Sequence, residues 1–400
     1  MFSFLGQTFG LWARSGTRTG AQTPPVRRLE CEALEDRTLL SLSWTEVLVN
    51  TTRLHVQNQP AVASSPNGRS VVVWTDHKAP NDSDVKAQLF DSTGHKIGKE
   101  ITITGTRNNE YNPTVAMDAT GNFVVVWTID FFGSDKDLWG ARFRSDGTRI
   151  GSPFAVAWSP HAEYDPSIAL AANGDFVVTY TQVFSGSDTD VYARMFRSDN
   201  SLVRTITLSD STRPEGQTNV AASPDGRFDV VYNDMDNIVL QRFNKDGTRL
   251  ATEVIANTSR PERVPDVAMD NYGNAVVAWQ VGVGSNWNIQ ARRVRSTGML
   301  GSTINIQATT ALETAPSVSI DPNTSKYVVA YQATTGTTTT VKVSEVTASN
   351  VVARTSTFGT GLTDPSVSVR VNHSYLVIAS SVGSRGIDPD GGVFEKLGQL

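Results

Sequence analysis

The stretch PTVAMDATGNFVVVW, residues 113–127, decides the fold because variants of it recur along the whole chain. The other copies begin near residues 60, 166, 218, 265, 316 and 365, as in PDVAMDNYGNAVVAW (265–279). Successive starts are 53, 53, 52, 47, 51 and 49 residues apart. A nearly fixed period of this size, built from strand-like units, is typical of a β-propeller or a solenoid.

One repeat has the pattern of four antiparallel strands. In the second copy, Thr114–Met117 alternates small apolar and polar residues, and Gly121 lies in a predicted turn. Phe123–Trp127 is a continuous apolar run, as expected of a strand covered on both faces. Third and fourth strands are predicted over Leu138–Phe143 and Phe154–Trp158, with an Asp-Gly turn between them. The repeat therefore predicts an all-β, seven-bladed β-propeller of four-stranded antiparallel blades.

The two ends of the repeat array complement each other. Trp44–Asn50 has the pattern of a fourth strand, and Gly392–Leu397 has the pattern of a third strand after the last repeat. We expect the N-terminal strand to pair into the last blade and close the ring, because closure removes exposed sheet edges. The predicted domains are residues 1–43, a largely disordered export segment, and residues 44–400, the propeller.

The N-terminal segment contains LECEALEDRTLLS, residues 29–41, directly after Arg27 and Arg28. Through Leu34, Glu35 and Arg37 with the following Leu-Leu-Ser, it resembles the LExR-type export signal of planctomycete secreted proteins. The motifs NFVVVW (122–127) and QRFNKDG (241–247) are similar to propeller-like repeats of large bacterial secreted proteins. The resemblance implies secretion or surface display. An amphipathic helix is the alternative interpretation of residues 29–41.

Composition excludes several function classes. A net charge of -5 and a pI near 5.6 argue against nucleic acid as a partner, since binding it requires a basic face. No window approaches the roughly 18 apolar residues of a membrane span. The single cysteine, Cys31, lies outside the repeats, and a thiol-free body suits an oxidising exterior. We expect a secreted or cell-surface monomer whose partner is an extracellular protein or a glycan.

A glutamate stands three residues before the start of five repeats. Gln57 and Leu362 take this place in the other two. A catalytic residue is normally unique, so the repetition favours a structural role, with backbone groups or Arg142, Arg242 or Arg293 as partners. The alternative is a hydrated cation or ligand facing the ring. These glutamates are Glu110, Glu163, Glu215, Glu262 and Glu313.

Paired aspartates recur where the second strand of a repeat leads to the third. Two carboxylates at positions i and i+2 beside Ser, Asn and Gly can bind a hard cation, so calcium is a possible cofactor; no other cofactor is expected. The alternative is that these residues only favour the turn. The pairs, called here the paired-acid loops, are Asp82 and Asp84, Asp135 and Asp137, Asp188 and Asp190, and Asp234 and Asp236.

Signatures of enzymes are sparse. The sequence has no GxSxG motif and no Walker glycine loop, and His161 with Glu163 and Tyr164 is its most suggestive acid–base trio. The main expectation is a non-catalytic, exported propeller that serves as a binding or structural module. The alternative is a secreted propeller hydrolase or lyase acting on glycans. Departures from the repeat, such as Ser380 in place of an aromatic residue, are where functional asymmetry is expected.

Overall fold

The computed structural model describes residues 47–52, 55–131, 135–370, 373–381 and 393–399. These residues form strands and turns, and none of them lies in a helix. Within these described ranges there is therefore no helix long and apolar enough to cross a membrane. The predicted export segment, residues 1–43, lies outside the described residues.

The strands follow the repeat in groups of four. They are β1 (Val47–Leu48), β2 (Val56–Ser64), β3 (Ser70–Ala79), β4 (Asp82–Phe90), β5 (Lys96–Thr104), β6 (Asn109–Met117), β7 (Phe123–Asp130), β8 (Lys136–Phe143), β9 (Arg149–Ala157), β10 (Ala162–Leu170), β11 (Phe176–Ser185), β12 (Asp188–Phe196), β13 (Leu202–Ser209), β14 (Glu215–Ala222), β15 (Phe228–Asp234), β16 (Asn237–Phe243), β17 (Arg249–Ala256), β18 (Glu262–Met269), β19 (Ala275–Val283), β20 (Asn286–Val294), β21 (Ile304–Gln307), β22 (Leu312–Ile320), β23 (Tyr327–Thr335), β24 (Thr338–Val346), β25 (Val352–Thr360), β26 (Leu362–Val369), β27 (Ser374–Ser381) and β28 (Val393–Gln399).

Each group of four forms an antiparallel sheet, which confirms the predicted unit. Sheets I to VI are β2–β5, β6–β9, β10–β13, β14–β17, β18–β21 and β22–β25; sheet VII is β26–β28 with β1. A single parallel bridge, Ser83 to Asn109, joins sheets I and II. In sheet VII, β1 pairs antiparallel with β28, and Val47 lies opposite Glu395.

The second strand of each sheet is covered on both faces, as its continuous apolar run predicted. In β7, Val125 and Trp127 pack with Val71 and Val73 of sheet I. The alternate residues of β7, Val124 and Val126, pack in a cluster with residues of sheet III. Because successive side chains of a strand point to opposite faces, one run of valines fills two inter-sheet cores.

Sheet VII packs against sheet I. Leu376 and Ile378 of β27 share a core with Trp74 of β3. The buried guanidinium of Arg370 donates hydrogen bonds to Ser70 Oγ at 2.8 Å and to the carbonyl oxygen of Ser92 at 3.2 Å. These contacts join parts of the chain that lie about 300 residues apart in sequence.

Candidate functional site

The first strand of every sheet carries a bulge at the same place. The register shifts directly before the repeat start, for example between Tyr164 and Ser167 in β10. The residue at this bulge has a left-handed backbone, which non-glycine residues seldom adopt. These bulge residues are Gln59 (φ 51°), Asn112 (51°), Asp165 (52°), Gln217 (52°), Val264 (50°), Ala315 (51°) and Asp364 (51°).

Bulge residues from six sheets converge on one depression with a volume of about 480 Å³. The prolines that follow several of them, such as Pro113 and Pro166, complete its wall. Asp165 and Asp364 are the charged side chains among the described residues that line it. The remaining bulge residues supply the amides of Gln59, Asn112 and Gln217, which can donate and accept hydrogen bonds. We call this cavity the central depression.

Asp165 is the more enclosed of the two carboxyl groups. The side-chain amide of Asn112 donates a hydrogen bond to Asp165 Oδ1 at 3.1 Å. Burial raises the pKa of Asp165 above its ordinary value, although the Asn112 bond and the Lys136 ammonium oppose the shift. The Lys136 ammonium also lies 5.9 Å from the centre of the Tyr111 ring. Tyr164 directly precedes Asp165 in sequence, and the pKa of its phenol is raised by burial and by the charge of Asp165.

Asp364 is exposed, and two hydroxyl groups orient it. Ser380 Oγ donates to Asp364 Oδ2 at 2.9 Å, and Thr363 Oγ1 donates to the same oxygen at 3.3 Å. The expectation that Ser380 replaces the closing Trp or Tyr is wrong: the register places Ala379 at that position, and Ser380, opposite Thr363, takes the place of Thr128 and Thr181 in sheets II and III. The two carboxyl groups thus differ both in burial and in hydrogen-bond partners.

A second, deeper cavity of about 330 Å³ is lined by the next residues of the same strands, among them Thr114, Ser167, Asn219 and Ser317. Its carboxyl group, Asp266, accepts a hydrogen bond from the backbone N–H of Val318 at 2.7 Å. Burial raises the pKa of Asp266 to about 6. Since Val318 belongs to the neighbouring sheet VI, Asp266 links two first strands.

The five repeated glutamates lie elsewhere, buried beside the loops that precede their strands. Each accepts a hydrogen bond from a hydroxyl four residues earlier; in Glu163, Ser159 Oγ lies at 2.5 Å and Gln182 Nε2 at 3.0 Å from Oε1. None of the five lines the central depression. The five pairs are Thr106 with Glu110, Ser159 with Glu163, Ser211 with Glu215, Thr258 with Glu262, and Thr309 with Glu313.

The surroundings of these carboxyl groups are strongly desolvated. Burial raises the pKa of Glu110, Glu215 and Glu262, and it raises the pKa of Glu163 to about 7. In all five glutamates the second oxygen, Oε2, is buried and has no hydrogen-bond partner among the described residues. Burial therefore favours the protonated form of Glu110, Glu163, Glu215 and Glu262.

The arginines suggested as partners of the glutamates bind other groups. Arg242 forms an ion pair with Asp229 at 2.6 Å, and Arg142 donates to the carbonyl oxygen of Gly174 at 3.0 Å. Arg293 donates to the carbonyl oxygen of Thr347 at 3.1 Å. The interpretation of arginine pairing is wrong, because hydroxyl groups in each glutamate's own loop are closer. His161 is likewise separate from Glu163: its exposed ring lies against Phe184, with centroids 4.6 Å apart.

The paired-acid loops form no shared site. Lys78 binds the buried Asp84, while Arg213 and Arg263 reach Asp234 at 3.4 Å and Asp236 at 2.9 Å. Tyr192 donates to Asp190 at 3.1 Å, and burial followed by the charge of Asp135 raises the pKa of Asp137. Among the residues with described positions, no three His, Cys, Asp or Glu side chains converge to hold a metal ion. Calcium binding by Asp82, Asp188 and their neighbours stays a prediction.

No protein-family model matches the chain, and the search of curated proteins found no match. Solved structures do match. An ulvan lyase of polysaccharide lyase family PL25, bound to -[GlcA(1-4)Rha3S]-, has a TM-score of 0.56 at 10% identity, over 89% of this chain and 96% of that one. The chain has a β-propeller fold.

Two further structures share this fold. The GH93 α-L-arabinofuranosidase of Fusarium graminearum with arabinobiose has a TM-score of 0.51 at 9% identity, over 89% of this chain and 97% of that one. A protein of unknown function from Dyadobacter fermentans has a TM-score of 0.54 at 11% identity, over 89% and 98% of the two chains. At these identities the likeness shows the fold, while family membership and activity require separate evidence.

The comparisons correct the expectation of a non-catalytic module. Two of the structures with this propeller fold are enzymes that act on glycans, which favours the alternative interpretation. The argument from repetition failed because it considered the glutamates, which are buried and do not line the central depression. The positions that differ between repeats are the bulge residues, including Asp165 and Asp364. Their signal in the sequence is the variable residue directly before each repeat start: Gln, Asn, Asp, Gln, Val, Ala and Asp.

Proposed function

We propose that this protein is a secreted propeller enzyme that hydrolyses a glycan in the central depression. The observation that carries the proposal is the pair of carboxyl groups, Asp165 and Asp364, in one polar cavity of ligand size. Two carboxyl groups whose surroundings differ are the usual means of dividing acid and base roles between them. Glycoside hydrolysis requires such a pair.

Asp165 suits the role of general acid. Burial raises its pKa, so it retains its proton at a higher pH than an ordinary aspartate. In the proposed reaction it donates that proton to the glycosidic oxygen as the bond to the anomeric carbon breaks. The amide of Asn112 holds the Asp165 carboxyl in place during this transfer.

Asp364 suits the role of general base. It is exposed to solvent, and the hydroxyls of Ser380 and Thr363 fix its orientation. In the proposed reaction it removes a proton from a water molecule while the water oxygen attacks the anomeric carbon. Sheets I and II stand between its strand and that of Asp165, so the two carboxyl groups reach the depression from sheets that are not adjacent. Because water, rather than a carboxylate, attacks the anomeric carbon in this reaction, we expect inversion of the anomeric configuration.

A second candidate reaction is β-elimination on a uronic acid, because Lys136 and Tyr164 stand beside Asp165. A lyase needs a cation near the substrate carboxylate and a base that removes the ring proton. Because the ulvan lyase shares this fold, β-elimination is a reaction worth testing for this chain. The hydrolase has the stronger support, because both of its groups line the depression, whereas Lys136 does not.

We also infer that the seven sheets form a closed ring. The pairing of β1 with β28 and the core that Ile378 shares with Trp74 support this inference. Removal of residues 1–50 deletes β1, and a closed ring predicts a clear loss of stability. Removal of residues 1–43 alone should leave stability unchanged; equal melting temperatures for both truncations would contradict closure.

The test of the enzyme is a panel of neutral and uronic oligosaccharides incubated with wild-type protein and two variants, Asp165→Asn and Asp364→Asn. Hydrolysis predicts new reducing ends without the ultraviolet absorbance of an unsaturated product, and a fall in rate of about 100-fold or more in each variant. Asp146→Asn, in an exposed turn, is the matched control and should retain full activity. An unsaturated product would identify the lyase instead, and turnover unaffected by both substitutions would refute the site.

A further inference from the structure

We infer that the central depression takes a neutral glycan and discriminates against anionic ones. This inference rests on the proposed function and adds the class of substrate to it. The first support is the lining itself, in which the charged side chains of the described residues are the carboxyl groups Asp165 and Asp364. An anionic sugar placed there would lie beside the exposed carboxyl group of Asp364 without a cation of the lining to offset the repulsion.

Two cations outside the lining have interactions of their own. The Lys136 ammonium lies 5.9 Å from the centre of the Tyr111 ring, and its charge lowers the pKa of Asp165. Arg263, which precedes the bulge residue Val264, is paired with Asp236 at 2.9 Å. A carboxylate or sulfate on the substrate would have to compete with Asp236 for Arg263.

The sheet edge around the depression is acidic as well. The strand register places Glu163, Gln182 and Asp190 in one row across β10, β11 and β12. The paired-acid loops therefore lie at the same edge as the bulge residues. Arg107 and Arg260 are exposed cations of the loops at this edge, and neither lines the depression. The aspartates of the paired-acid loops at this edge would lower the association rate of polyanions.

The uncharged groups of the depression match a neutral sugar. The amides of Gln59, Asn112 and Gln217 offer donors and acceptors for hydroxyl groups. The half-buried Tyr111 and Tyr164 flank it on adjacent sheets, where the other repeats have Asn, Gly, Arg or Thr. Tyrosine combines an apolar face with a polar tip, which suits the mixed surface of a sugar ring. Tyr111 and Tyr164 would therefore contact a glycan that extends from Asp165 beyond the lining of the depression.

The test measures binding rather than turnover, by calorimetry on the full chain with length-matched arabino- and galacturono-oligosaccharides. We expect the neutral ligand to bind at least 10-fold more tightly at low salt. This margin should shrink in 1 M NaCl, where the screening length is roughly 3 Å. Asp364→Asn should improve galacturonate binding several-fold, whereas Asp146→Asn should leave both affinities unchanged. Tyr164→Ala should weaken the neutral ligand about 10-fold, and Tyr164→Phe, which keeps the ring and loses the polar tip, should weaken it by less.

The outcomes separate this inference from the proposed function. Neutral binding without any cleavage would refute the hydrolase and leave the inference intact. Uronate binding as tight as neutral binding would overturn the inference, and so would the absence of binding by every ligand. Cleavage of the uronate would overturn the inference while retaining a glycan-acting enzyme in its lyase form.

Discussion

Replacement of Glu163 by glutamine should make the protein more stable at alkaline pH. The Glu163 side chain is 1% exposed, and burial raises its pKa from 4.5 to about 7. The folded protein therefore holds this proton between pH 4.5 and 7, where the unfolded chain has released it. The stabilisation from the protonated group is complete below pH 4.5 and is lost as the pH rises through about 7.

The structure gives the size of the effect. A difference of 7 − 4.5, about 2.5 pKa units, corresponds to about 3 kcal/mol at roughly 1.4 kcal/mol per unit. Glutamine keeps an acceptor for the Ser159 hydroxyl and cannot ionise, so it removes the dependence on pH without changing the side-chain shape. The free energy of unfolding of Glu163→Gln, relative to wild type, should increase by about 3 kcal/mol between pH 4 and pH 9.

Urea unfolding followed by tryptophan fluorescence, repeated across this pH range, measures the difference. The control is Asp146→Asn, which alters an exposed carboxyl whose pKa is lowered by Thr148 hydrogen bonds. It should show no gain at high pH. Wild-type and Glu163→Gln curves that stay parallel from pH 4 to pH 9 would refute the reasoning, because Glu163 would then ionise alike in folded and unfolded chains.

Other perturbations test separate contacts. Arg370→Met removes the hydrogen bonds to Ser70 and Ser92 and should lower the free energy of unfolding in urea by about 3 kcal/mol. Arg204→Met, at an exposed position, should lower it by less than about 0.5 kcal/mol. Val264→Asn should raise the free energy of unfolding by about 1 kcal/mol, because a branched residue at φ 50° is strained. Asn112→Val, at φ 51°, should lower it by at least a similar amount. Variants as stable as the wild type would show that the bulge imposes no strain. EDTA should leave the melting temperature unchanged, since Lys78, Arg213 and Arg263 already bind aspartates of the paired-acid loops; a fall of several degrees would instead reveal a bound cation.

The local pattern predicted the sheets well because the order of apolar and polar residues within a strand indicates which of its faces are buried. The valine run of β7 is apolar at every position, so it had to be covered on both faces, and it fills two cores. The turns at Gly121 and Gly147 were equally predictable, since these glycines adopt the positive φ angles of 89° and 85° that such turns need.

The candidate site was not readable in the same way. Glu163 attracted notice because it recurs, yet it lies buried beside Ser159 and away from the depression. Asp165, two residues later, reaches the depression because a bulge turns the strand at that point. A bulge of one residue changes which side chains face the centre, and composition and spacing alone do not predict where such a bulge occurs.

The sequence by itself determined the repeating unit: its period, its four strands and the buried face of each strand, because these depend on neighbours within about fifty residues. Only the tertiary structure decided which side chains meet at the centre. Asp165 and Asp364 lie about 200 residues apart, and the surroundings of each come from other parts of the chain, Asn112 for one and Ser380 for the other. Burial sets the proton affinity of such groups, and burial is a property of the assembled sheets rather than of any one repeat.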